Sequence, residues 1–292
     1  MQPLISDPAV EAIVHLALAE DQVDADITSL CLVPSTARGV GRVVARAPGR
    51  IAGLALLDVS GPFRNAYPDL TFHCQVPEGS DVERGAVLAT LTGSARDLLG
   101  IERTLLNFLQ RLSGIATATL AYVEAARGTR ARIQETRKTC PGLRALDKYA
   151  VSVGGGLNHR QHLGDQVLIK ENHLVFAGRA RSPESVREGV QRARAQTDLA
   201  IEVEVENLEQ FDAALDAGVD IIMLDDFDPA DIREAVRRRD IVGPPPPLLE
   251  VSGGVTLERV RELASLGVDR ISVGALTHSV KALDLAMDIE PA

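Results

Sequence analysis

Arg137, Lys138, His159, Arg160 and Lys170 fall in three short cationic motifs: Thr136-Arg137-Lys138-Thr139, Asn158-His159-Arg160 and Ile169-Lys170-Glu171-Asn172-His173. The chain as a whole is acidic, with a formal net charge of -10, so this local excess of positive charge runs against its own background. Cations gathered in one pocket repel each other strongly at the effective dielectric of a protein interior. A fold tolerates that repulsion most readily when an anionic ligand relieves it. The segment therefore reads as a site for a small molecule carrying several negative charges.

Each motif adds a particular capability. Arg137 can meet a carboxylate or phosphate with two parallel hydrogen bonds, whereas Lys138 offers a compact point charge. The run Gly154-Gly155-Gly156-Leu157-Asn158-His159-Arg160 couples a permissive backbone to two further donors. Lys170 ends the apolar stretch Val167-Leu168-Ile169, where an ammonium must find an anion or shift its pKa. It could serve there as a counter-ion for substrate or as a Schiff-base nucleophile. Glu202, Glu204 and Glu206 alternate along one strand and so share a face. Asp225 and Asp226 follow the next strand. Carboxylates from neighbouring strands can hold Mg2+ with waters, or clasp a ribose. Ser252-Gly253-Gly254 and Gly274 leave backbone N–H groups free to cradle a phosphate, next to a helix start at Thr256. Glu102-Arg103 stands apart on an earlier helix, as a solvated pair or as a group completing a pocket in another subunit.

These residues need elements to hold them. Pro8 to Glu20 and Ala95 to about Ser113 carry apolar side chains at helical spacing. Val40–Ala47, Ile51–Leu57, Leu70–Val76 and Ala86–Thr92 read as β-rich, bounded by glycines and by Pro77-Glu78-Gly79. From about residue 130 short apolar strands alternate with amphipathic helices, with strands expected at 131–135, 166–170, 200–205, 220–224, 248–251 and 270–273. Ser182-Pro183 and Asp228-Pro229 are helix starts, and Gly218 and Gly267 are helix ends. Ala217–Ile222 and Leu266–Ile271 are near copies, the same helix-to-strand joint used twice. Repeated βα units imply a parallel sheet. Polar residues recurring directly after the strands favour a barrel, whose rim carries the active site. Gly243-Pro244-Pro245-Pro246-Pro247 reads as a stiff surface connector.

Composition sets the outer bounds. With 292 residues, the chain has room for one large domain or two of ordinary size. Aromatics make up only 3%, so the core must be aliphatic. A pI near 5.2 argues against a nucleic-acid surface. No apolar run reaches the roughly 18 residues of a membrane span, and Met1–Asp7 lacks the character of a signal peptide. Cys31, Cys74 and Cys140 form neither a disulfide framework nor a zinc motif. The expected location is cytoplasmic.

Taken together, the segments Glu102–Thr117, Thr136–Thr139, Gly154–Arg160, Val167–His173, Glu202–Val205, Met223–Phe227 and Glu250–Gly254 resemble the quinolinate phosphoribosyltransferase family, over nearly the whole chain. The resemblance implies an α/β fold: an amino-terminal, sandwich-like α/β domain over residues 1–114 and an incomplete, TIM-like β/α barrel over 115–276, with residues 277–292 packing back on the first. It implies transfer of phosphoribosyl from phosphoribosyl pyrophosphate (PRPP) to quinolinate with loss of CO2, giving nicotinate mononucleotide for NAD biosynthesis, in a homodimer or higher oligomer. Quinolinate's carboxylates would meet Arg137, His159, Arg160 and Lys170, with Arg103 donated by a partner subunit. Thr136, Lys138, Glu204 and Asp225 would contact PRPP, with Glu204 and Asp225 holding Mg2+, directly or through water. The 5′-phosphate would rest on Ser252, Gly253, Gly254 and Gly274. One departure stands out, since Asp225-Asp226 occupies the place of an expected Asp-Asn. The rival readings are a same-fold transferase with another acceptor, a Schiff-base aldolase and a silent anion-binding protein.

Overall fold

The computed structural model describes residues 8–177 and 182–292, so the reading of Met1–Asp7 lies outside the described residues. In chain order the elements are α1 (Pro8–Glu20), α2 (Ile27–Leu32), β1 (Arg38–Ala45), β2 (Gly49–Arg50), α3 (Pro62–Ala66), β3 (Thr71–Cys74), β4 (Asp81–Val82), β5 (Val87–Ser94), α4 (Ala95–Ala125), β6 (Arg132–Gln134), α5 (Arg144–Val153), β7 (Val167–Ile169), α6 (Glu171–Phe176) and α7 (Pro183–Arg194). They continue as β8 (Ile201–Val205), α8 (Leu208–Asp216), β9 (Ile221–Asp225), α9 (Pro229–Asp240), β10 (Leu248–Ser252), α10 (Leu257–Ser265), β11 (Arg270–Ser272), α11 (Ala275–His278) and β12 (Leu285–Pro291). They fall into two compact units.

The first unit contains the described residues up to Leu120, with Lys138–Gly155 and Ala275–Ala292. Its centre is an antiparallel sheet in the order β12-β1-β5-β3. Alternate residues of β1 are buried, the pattern of a sheet covered on one face. Leu98, Ile101, Leu105 and Leu109 of α4 are fully buried, so this helix supplies much of the apolar cover. The chain's last strand pairs with β1, Val43 opposite Met287.

Two expectations fail here for identifiable reasons. Leu54–Leu57 is a short 3-10 helix, not a strand. The Glu78 carboxylate accepts from the amides of Gly53 (2.7 Å) and Ala55 (3.0 Å), satisfying backbone donors that a strand would have offered to a neighbour. An unbroken apolar run does not distinguish the two outcomes. Nor does α4 stop at Ser113, since it runs on to Ala125. Gly114 reads as a stop signal, yet its role is close approach: a Cβ there would lie 2.3 Å from the Lys281 carbonyl oxygen. On the same unit Arg111 meets buried Asp147 through Nε (2.9 Å) and a terminal nitrogen (2.8 Å), and Asp147 also accepts the Cys140 amide.

The second unit, Ala121–Arg137 and Gly156–Gly274, is built on a six-stranded parallel sheet in the order β6-β11-β10-β9-β8-β7. The two end strands, β6 and β7, do not pair with one another, which makes it an incomplete barrel. All six expected strands form, each within two residues of its predicted ends. Caps follow the sequence signals as well. Asp228 accepts from the amides of Ala230 and Asp231 at 2.8 and 2.9 Å, and Gly218 and Gly267 have φ of 68° and 95°.

The duplicated joint is duplicated in function. Asp220 gives its amide to the Ile201 carbonyl and takes the Ile201 amide on its carboxylate at 2.7 Å. Asp269 does the same with Leu249, its carboxylate accepting at 2.9 Å. Each carboxylate also holds an arginine, Arg194 on Asp220 (2.6 Å) and Arg239 on Asp269 (2.7 Å).

Candidate active site

Strand ends place the chemistry. Parallel strands point their carboxyl ends one way, so residues just past β6 to β11 gather on one rim of the second unit. Thr136 and Arg137 follow β6, Lys170 follows β7, Glu204 lies near the end of β8, Asp225 ends β9, Ser252 ends β10 and Gly274 follows β11. The register pairs Asp225 directly with Ser252.

Below the rim lies a polar layer that sequence reasoning did not assign. Gln134 of β6, Glu250 of β10 and Glu202 of β8 come from alternate strands in the sheet order, the way a layer inside a barrel is filled. Such layers are ordinarily aliphatic, but here all three side chains are completely buried. Gln134 Nε2 donates to Glu250 (2.5 Å) and to Ser272 Oγ (3.0 Å), while Ser272 donates to Glu250 at 2.6 Å. Burial, and then repulsion from Glu202, push the Glu250 carboxyl up to about 7, with His159 and Ser272 opposing them. For two of the three the signal was present as an acid set singly within an apolar run, Ile201-Glu202-Val203 and Leu249-Glu250-Val251.

His159 stands on this layer. Its Nε2 is 3.4 Å from Glu202 and 3.8 Å from Glu250. Its Nδ1 accepts the Arg160 amide at 2.7 Å, and its own amide donates to Glu135 at 2.9 Å. An accepting Nδ1 places the ring hydrogen on Nε2, facing the carboxylates. Burial opposes protonation, but the Glu202 hydrogen bond and the charges of Glu250, Glu202 and Glu135 outweigh it and hold the ring's pKa above the usual value. His159, Glu202 and Glu250 lie close enough to bracket a metal ion.

The guanidinium groups of Arg137 and Arg160 form the cationic part. Burial, and then repulsion from Arg137, lower the Arg160 pKa. Arg160 gives a terminal nitrogen to the Gln166 carbonyl at 3.2 Å. The Nε of Arg137 and the Nε of Arg160 are both buried and have no hydrogen-bond acceptor among the described residues. Two buried, mutually repelling donors with unmatched edges fit a carboxylate-bearing ligand.

The acidic part lies on β8 and β9. Lys170 pairs with Glu204, which makes it a held cation and speaks against a Schiff-base nucleophile. Burial, then the charges of Glu204 and Asp226, raise the Asp225 pKa, and Lys170 only partly offsets them. Carboxylate oxygens with residual negative charge suit a hard divalent cation such as Mg2+. Glu206 does not share the strand face, contrary to expectation. It lies beyond β8, exposed, and its amide donates to Gln210 at the start of α8.

The glycine cradle forms as a left-handed turn, with φ of 90° at Gly253 and 51° at Gly254. Thr256 caps α10 without binding a backbone amide through its side chain. Lys138 and Arg103, which the sequence also singled out, belong to the first unit. Lys138 is exposed, with its carbonyl accepting from Thr277 at 3.0 Å. Arg103 is exposed on α4 and lines a cavity with Ile13, Leu16, Asn107, Arg111 and Leu146.

A parallel barrel with such a rim defines an enzyme that handles polyanionic small molecules. Family models described as the N- and C-terminal domains of quinolinate phosphoribosyl transferase match residues 26–113 and 115–288. The chain is 46% identical over 281 residues to a nicotinate-nucleotide pyrophosphorylase [carboxylating] of Mycobacterium leprae, covering 94% of this chain and 95% of that protein. It is 38% identical over 303 residues to the chloroplastic counterpart of Oryza sativa, covering 96% of this chain and 78% of that protein. The solved nicotinate-nucleotide pyrophosphorylase from Francisella tularensis superposes with a TM-score of 0.89 at 34% identity, over 99% of this chain and all of that one (100%). The chain belongs to the quinolinate phosphoribosyltransferase family. Its enzyme class is accordingly that of the carboxylating pentosyltransferases, as the sequence led one to expect.

Proposed function

We propose that the second unit's rim joins quinolinate to the phosphoribosyl group of PRPP and releases CO2 and pyrophosphate. The carrying observation is the pair of buried, unmatched Nε donors on Arg137 and Arg160. Two fixed guanidinium edges recognise a dicarboxylate, whereas a neutral acceptor would leave both desolvated and unpaired.

The ring nitrogen of quinolinate attacks C1 of the ribose as the bond to pyrophosphate breaks. The nitrogen then carries positive charge, and the electron pair left when the 2-carboxylate departs as CO2 is stabilised beside it before a proton takes its place. Arg137 and Arg160 orient the ring by its carboxylates, and Lys170, held by Glu204, adds positive charge on the same rim. Preorganised charge of this kind is the main source of catalysis in reactions that move charge. Glu204 and Asp225 would hold Mg2+, which when bound neutralises the departing pyrophosphate. The turn Ser252–Gly254 and Gly274 suit the 5′-phosphate through backbone amides. The family resemblance gives Thr136 and Lys138 to PRPP and Arg103 to the site of a partner subunit in a homodimer or larger homo-oligomer. Three free cysteines support a cytoplasmic location, and no described helix is long and apolar enough to cross a membrane.

The test is incubation with quinolinate, PRPP and Mg2+, following CO2 and nicotinate mononucleotide together. Formation of both in equal amounts supports the reading. Binding of PRPP without either product would leave the donor half standing and remove quinolinate as acceptor.

A further inference from the structure

Two separate paths lead from Glu202 to Arg160. One runs through His159, whose Nε2 faces the carboxylate at 3.4 Å and whose Nδ1 takes the Arg160 amide at 2.7 Å. The other runs through Gln166, whose side-chain nitrogen donates to the same carboxylate oxygen at 2.5 Å and whose backbone carbonyl takes a guanidinium nitrogen of Arg160 at 3.2 Å. Glu202 is thus tied to both ends of one arginine, its backbone and its side-chain head. The carboxylate itself is completely buried, and its other oxygen has no hydrogen-bond partner. A buried charge placed this way costs stability unless a specific arrangement needs it. An aliphatic residue would fill the barrel layer more cheaply.

We propose that Glu202 is a positioning residue for acceptor recognition, fixing Arg160 through His159 and Gln166 so that the unmatched Nε edge meets a substrate carboxylate. Glu202 touches no reacting atom in this assignment. His159 acts by holding Arg160, with both ring nitrogens engaged inside the protein. The donor half of the site has no share in these two paths, because neither passes through Asp225, Ser252 or the glycine turn. The inference rests on the reading that Arg160 receives a carboxylate of quinolinate.

The experiment is steady-state kinetics of Glu202→Leu, Arg160→Leu and the double variant, with KM for quinolinate and for PRPP measured separately. Glu202→Leu is expected to raise the quinolinate KM by about tenfold or more while leaving the PRPP KM within about twofold. The double variant is expected to be no worse than Arg160→Leu, since both changes remove one unit. Glu202→Gln can keep a carbonyl oxygen where both donors converge, and it should recover most of the quinolinate affinity. Additive losses, or equal increases in both KM values, would overturn the inference in favour of a general structural role. Should Glu202→Leu fail to fold, Gln166→Ala removes one path only and must still raise the quinolinate KM selectively. Wild-type quinolinate affinity in Arg160→Leu would instead sink the acceptor-site reading beneath it, so the two failures are distinguishable.

Discussion

The Asp226 carboxylate lies against the backbone of Gly253, its Oδ1 2.3 Å from where a Cβ on that glycine would stand. Asp226 is itself left-handed, with φ of 53°, and its amide donates to the Ser252 carbonyl at 3.2 Å. The residue therefore does two things at once. It shapes the glycine turn, and it adds a negative charge that helps raise the Asp225 pKa after burial and Glu204. Asn tolerates the left-handed conformation as well as Asp does and brings no charge. Asp226→Asn should keep the turn and lower the Asp225 pKa. The acid limb of Mg2+-dependent turnover should then move to lower pH. A pH series of kcat at saturating Mg2+, read beside Mn2+ binding by the protein alone, checks this, and an unmoved limb would dismiss the charge effect.

On the proposed reading, Arg137→Ala would leave a substrate carboxylate facing a buried gap beside Arg160 alone. We expect a loss of at least about 2 kcal/mol of transition-state stabilisation, or roughly thirtyfold in kcat/KM. Turnover close to wild type in a folded Arg137→Ala protein would rule out that role for Arg137.

Glu250 carries a pH signature. Its pKa rises from an ordinary 4.5 to about 7 on folding, so the fold favours the protonated form. Stability from this group is complete below pH 4.5 and is lost as pH rises through about 7. Glu250→Gln removes the titration while keeping one acceptor oxygen in place of the two that Gln134 and Ser272 now use. Urea midpoints measured from pH 4.5 to 7.5 should fall with pH more steeply for the wild type than for the variant. Parallel profiles would mean that Glu250 titrates normally.

If Arg103 completes the site of a partner subunit, two inactive variants can repair each other. Arg103→Ala and Lys170→Ala, mixed and allowed to exchange subunits, should regain about a quarter of wild-type activity, because half the dimers are mixed and each has one intact site. No recovery despite demonstrated exchange would place Arg103 outside a shared site.

The barrel strands were legible because each is a short apolar run fenced by helix caps and glycines, and the rim residues because charge after an apolar strand has few bland explanations. The amino-terminal unit was harder. Its elements depend on side chains far away in sequence, as Leu54–Leu57 depends on the Glu78 carboxylate and Gly114 on the Lys281 carbonyl. The polar layer escaped notice as a unit for another reason, although Glu202 stood out as one of three alternating acids. Gln134, Glu202 and Glu250 are 116 positions apart at their extremes, and only the sheet order makes them neighbours. His159 was visible as a charge beside Arg160, but the direction its ring nitrogens face is not written in any spacing.

The twin aspartates, Asp220 and Asp269, carry a consequence for how the barrel keeps its alignment. Asp220 binds the first residue of β8 and Asp269 the second residue of β10, so each joint fixes the start of a neighbouring strand as well as its own. Registration is handed sideways across the sheet, from β9 to β8 and from β11 to β10. Those are the strands that bear Glu202, Glu204, Glu250 and Ser252. The spacing of these side chains at the carboxyl ends of the strands is thus set from the opposite ends of the sheet.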